Sequence, residues 1–84
     1  MDIEQFKKDR DEAFINFVET DSLEKVKAYC KKYNKEMPKN TIIAEVGIYK
    51  AIQGCRDIPQ EVKEKARDKC LALGYSPYVY NGGM

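Results

Sequence analysis

Leu23, Val26, Cys30 and Tyr33 step by three, four and three, and the residues between them are mostly charged. That spacing places the four apolar side chains, with Tyr29, on one side of an α-helix and Lys25, Lys27, Lys31, Lys32 and Lys35 on the other. It constrains the fold more than any other feature because the pattern recurs, with start and stop signals between the repeats. A first helix is expected over about 3–18, capped by Asp2 with Gln5 at the reciprocal capping-box position. Its stripe is Ile3, Phe6, Phe14, Phe17 and Val18, with Arg10 on the same side reaching for water along its stem. The second helix is expected over about 22–33, capped by Asp21 with Glu24 and stopped at Asn34 in a left-handed conformation. Met37-Pro38 then forms an extended connector.

The third helix starts after Asn40 or Thr41 and runs to Gln53, ending at Gly54. Its sequence, TIIAEVGIYKAIQ, places Ile42, Ile43, Val46 and Ile52 over much of one side and Ala44, Ile48 and Ala51 over another. A helix apolar nearly all round is expected to be a buried, central element. Gly47 within it costs about 1 kcal/mol relative to alanine, a cost that close approach of a neighbouring helix would offset. The fourth helix opens at Ile58-Pro59, buries Ile58, Val62, Ala66, Cys70 and Leu73, and stops at Gly74, with Tyr75 folding back in a Schellman-type end. With 84 residues in all, the expectation is an all-α, compact four-helix domain over 1–77 and a short irregular tail over 78–84. Connectors this short run neighbouring helices roughly antiparallel.

Charge is balanced overall at +1 but unevenly spread. Residues 1–24 carry 3 basic and 8 acidic side chains, net −5; residues 25–39 carry 6 and 1, net +5. The plain reading sets the acidic first helix beside the basic second one. The functional alternative is a weak nucleic-acid-binding face with Lys25, Lys31, Lys32 and Lys35 on phosphates, and the absence of arginine there counts against it. A helix-turn-helix is disfavoured, because NKEMPKN exceeds the usual three- or four-residue turn.

Chemistry has little to work with. The chain has no histidine, the commonest general base. Ser22 and Ser76 have no base nearby in sequence. Asp9, Asp11 and Glu12 read as a solvated helix face. Three isolated cysteines without histidine do not make a zinc site, and no glycine-rich phosphate loop is present. No catalytic, metal or cofactor-binding residue is therefore assigned, and no cofactor is expected. Cys30 and Cys70 sit on apolar stripes and read as buried. Cys55, beside Arg56 in a loop, is the thiol to test for reactivity. An odd cysteine count with wide gaps argues against a disulfide framework. The absence of an 18-residue apolar run and the acidic opening MDIEQFKKDRDEAF argue against membrane and export, which leaves the cytoplasm as the expected location.

The succession KVKAYCKKYNKEMPKN, TIIAEVGIYKAI and IPQEVKEKARDKCLALGYSP resembles small prophage-associated proteins of Firmicutes and gut bacteria. The resemblance is carried by Tyr33, Met37-Pro38, Gly47 with Lys50-Ala51, Ile58-Pro59 and Gly74-Tyr75, over roughly residues 22–77. It implies a phage-derived accessory or interaction protein and brings no catalytic site with it. The partner is expected to be a second copy or another protein, met through Tyr75, Tyr78, Val79 and Tyr80, since exposed aromatics favour interfaces.

Overall fold

A computed structural model of the chain describes residues 2–77. They form four helices and no strand: α1 (Ile3–Thr20), α2 (Glu24–Lys32), α3 (Thr41–Gln53) and α4 (Gln60–Ala72). The Cα radius of gyration of 12.5 Å is close to the roughly 12 Å expected of a compact chain this long.

Most helix ends follow local sequence. The Asp2 carboxylate accepts from the Glu4 and Gln5 amides at 3.0 and 3.3 Å. The Gln5 side chain does not complete the capping box and donates to Asp9 instead. Asn40 caps α3, its side chain accepting from the Ile43 amide at 3.1 Å. Asn34 (φ 56°) and Gly74 (φ 86°) occupy the left-handed region as expected. Each opens a Schellman end: Lys35 donates to the Cys30 carbonyl and Tyr75 to the Cys70 carbonyl.

Asp21 departs from expectation. It terminates α1 rather than starting α2: it sits at φ 61° and donates its amide to the Phe17 carbonyl at 2.8 Å. The amide of Glu24 is taken by the Ser22 hydroxyl at 3.3 Å. Aspartate suits both an N-cap and a left-handed stop, and the outcome is decided by distant chain. Lys69 of α4 donates to the Val18 carbonyl at 2.6 Å and to the Asp21 carboxylate at 2.7 Å, placing a cation on the negative end of α1.

α1 packs on α2 and α3 on α4, and α1 also touches α4. Phe17 and Tyr49 stack at 5.3 Å between centroids and tie α1 to α3. The core where the pairs meet holds Phe17, Val18, Val26, Ile52, Ala66 and Cys70, all essentially inaccessible. Asp11, expected on a wet face, is 8% exposed and paired with Arg10 at 3.1 Å. It lies two turns before Val18 on the same side of α1, so the packing that covers Val18 covers it too.

α3 is not the central element. Ala44, Val46, Ile48, Tyr49 and Ile52 are buried, but Ile42 and Ile43 are 49% and 55% exposed, and Gly47 and Ala51 face solvent. Three other short helices cannot surround a fourth. Nor does a neighbour approach Gly47: beyond its chain neighbours and the adjacent turns of its own backbone, a Cβ built there meets no described atom within 4 Å. Gly47→Ala is therefore expected to raise the stability of the dilute protein by about 0.5–1 kcal/mol through helix propensity and a stiffer unfolded chain. A thermal melt at low protein concentration checks this, and a lowered midpoint would mean that α3 is crowded at this position.

Candidate functional site

The lysine face begins with Asp9, which α1 presents to the end of α2. One Asp9 oxygen accepts from Lys32 Nζ at 2.7 Å and from the Tyr33 hydroxyl at 2.6 Å; the other accepts from Gln5 at 2.8 Å. The Lys32, Tyr33 and Gln5 hydrogen bonds hold the Asp9 carboxyl down at about 2, and the same contacts push Lys32 and Tyr33 up. Beneath them Phe6 meets Tyr33 edge-on at 4.9 Å and Tyr29 at 5.8 Å. Lys35 lies over Phe6, 5.1 Å from its centroid.

These contacts separate the four lysines. Lys25 and Lys32 line a cleft of roughly 250 Å³ whose opposite wall is Asp9 and Glu12. Lys35 is drawn onto an aromatic ring, and Lys31 is exposed. A phosphate approaching Lys32 would meet the carboxylate that already holds it. The acid–base complementarity of the two segments is thus used inside the molecule, between α1 and α2.

Asp9 has a measurable signature. A carboxyl depressed in the folded state contributes stability that is full above its unfolded value, about 3.9, and is lost as pH falls through its folded value. Urea unfolding from about pH 4 down to about pH 2 should show a fall in stability that Asp9→Asn flattens. Equal slopes in both proteins would mean that the Asp9 cluster does not persist in solution.

The three cysteines are free and buried. Burial pushes all three thiols up. Cys55, singled out for reactivity, is 5% exposed and its thiol donates to the Ala51 carbonyl at 3.3 Å. That environment is the reverse of what activates a thiolate. The Cys70 thiol lies 3.4 Å from the Ser76 carbonyl. No group of three or more potential metal ligands occurs among the described residues, and no described helix is long and apolar enough to cross a membrane. A notch lined by Lys7, Arg10, Arg56 and Asp57 is basic, but Arg10 is already paired with Asp11.

Tyr75 is 44% exposed at the end of α4. Tyr78, Val79 and Tyr80 lie outside the described residues.

The feature that sequence reading missed lies between α2 and α3. A groove of roughly 270 Å³ is lined by buried Phe14, Val26 and Tyr29, by Met37 and Pro38 of the connector and by Ile43 and Gly47 of α3. Its α3 wall carries Ile43, Gly47 and Ala51, which follow one another at four-residue intervals, all exposed. The signal was present in the all-round apolarity of TIIAEVGIYKAIQ. It announced an uncovered face as much as a buried helix.

Comparison with family models, with curated proteins and with solved structures yields no match.

Proposed function

We propose that this protein is a small cytoplasmic interaction module, phage-derived and without catalytic activity, that works by presenting an apolar surface to another protein chain. The observation that carries the reading is the outward side of α3. Ile43, about half exposed, Gly47 and Ala51 occupy positions where a solvated helix ordinarily carries charge. The Tyr75, Tyr78, Val79 and Tyr80 cluster is a second contact region of the same module. The raised, buried thiols and the absence of histidine fit a protein that does no chemistry.

The test measures protein contacts of the full chain, by light scattering and by capture from host extract. Ile43→Lys and a variant with Tyr78, Val79 and Tyr80 replaced by serine serve as controls. Self-association or a captured protein that either variant loses supports the reading. A chain that stays monomeric and retains the same proteins in all three forms overturns it.

The nucleic-acid reading predicts binding at low salt that weakens steeply as salt is added. With Lys32 held by Asp9 and Lys25 lining the same cleft as Asp9 and Glu12, no gel shift is expected at low ionic strength. A shift abolished by Lys25→Glu and Lys31→Glu would replace the proposal with that alternative.

A further inference from the structure

We propose that residues 75–77 are a strap that closes over the Cys70 thiol and opens by itself while the helical core stays folded. Gly74, at φ 86°, turns the chain back at the end of α4, and the Tyr75 amide donates to the Cys70 carbonyl at 3.2 Å. That reversal lays two carbonyls on the sulfur. Cys70 Sγ lies 3.4 Å from the Ser76 oxygen and 3.7 Å from the Tyr75 oxygen. Pro77, where the described chain stops, is buried, while Tyr75 and Ser76 are exposed. Cys70 itself is 0% exposed, and the strap is part of what seals it.

The seal is light. A thiol has one proton and is a weak donor, so the two carbonyls share a single weak bond. Pro77 has no amide to add to the closure. A short segment held by contacts of this strength opens locally at far less cost than the fold as a whole. Cys55 is held differently. Its amide donates to the Ile52 carbonyl at 3.0 Å, its carbonyl accepts from the Ile58 amide at 3.4 Å, and its thiol donates to the Ala51 carbonyl at 3.3 Å. Ile58, which closes that loop, is 3% exposed. Exposing Cys55 means loosening α3 from α4, so Cys55 waits on the core while Cys70 waits only on the strap. The strap also leads the chain on to Tyr78, Val79 and Tyr80, and its state sets where that contact region leaves the domain. This consequence rests on the interaction-module reading, and the strap itself does not.

Alkylation of the full chain by iodoacetamide, quenched at intervals and quantified at each cysteine by peptide mass spectrometry, reads the two openings separately. Where reclosing outruns alkylation, each rate follows the population of the open form. Cys70 should be modified at least about tenfold faster than Cys55. Low urea should accelerate Cys55 more steeply than Cys70, because the strap exposes little surface on opening. Pro77→Gly should raise the Cys70 rate several-fold and leave Cys30 and Cys55 unchanged. Equal rates and equal urea slopes at Cys55 and Cys70 overturn the proposal, since both thiols would then wait on the same unfolding. So does a Pro77→Gly variant that speeds all three thiols alike, or none. Rates that behave as expected in a chain that makes no protein contact keep the strap and remove the interaction-module reading.

Discussion

Phe17→Ala is expected to lose about 3–5 kcal/mol of unfolding free energy in urea titrations followed by circular dichroism. The whole stability of an 84-residue domain is roughly 4–13 kcal/mol, so this variant should be largely unfolded at body temperature if the chain sits near the lower end. The size of the effect follows from position. Phe17 is 1% exposed and lies against Tyr49, at the junction where the α1–α2 pair meets the α3–α4 pair. Its ring is wholly buried, so its removal costs both transfer free energy and a cavity. The matched control is Ile43→Ala, which removes apolar atoms from a half-exposed site and should cost less than about 0.5 kcal/mol. Similar losses for the two would mean that α1 and α3 do not pack as described.

Lys69→Met is expected to cost about 1–2 kcal/mol, although it replaces one long side chain on a partly exposed position with another. Lys69 completes the end of a helix that is not its own. It supplies a donor to the Val18 carbonyl, and it holds Asp21 in the left-handed turn that closes α1. Methionine keeps the packed stem and removes both contacts. The Val18 bond accounts for most of the loss, because the Asp21 partner is exposed and exposed pairs contribute only about 0–1 kcal/mol. A double-mutant cycle with Asp21→Ala separates the two terms and should return a coupling below about 1 kcal/mol. A cost of a few tenths for Lys69→Met alone would show that α4 does not clamp the end of α1.

What the sequence made legible is what short-range physics decides. The caps at Asp2 and Asn40 and the stops at Asn34 and Gly74 depend on a few neighbouring residues, and all four hold. So do Val26 and Cys30 on α2 and Val62, Ala66 and Cys70 on α4, which repeat at helical intervals and are buried, whereas Leu73, expected on the same face of α4, caps the helix end and is 41% exposed. Asp21 was misplaced because its local preferences are degenerate and a lysine 48 residues away resolves them. Asp11 was misplaced because charge was weighed above its alignment with Val18. The α3 error has a different origin. Periodicity counts the apolar faces of a helix, but it does not count the elements available to cover them. An 84-residue chain has too few, and its Ile43–Gly47–Ala51 stripe is left open. For the same reason Gly47, read as a point of close contact inside the molecule, became the centre of a surface instead.

The most direct test of that surface is the solvent exposure of the δ1 methyl groups of the seven isoleucines, measured by NMR with a soluble paramagnetic agent. In dilute protein, an open α3 face gives strong broadening at Ile3, Ile42 and Ile43 and protection of Ile48, Ile52 and Ile58. Equal protection of Ile42, Ile43 and Ile52 in dilute protein would contradict it, because α3 would then have no open side to offer.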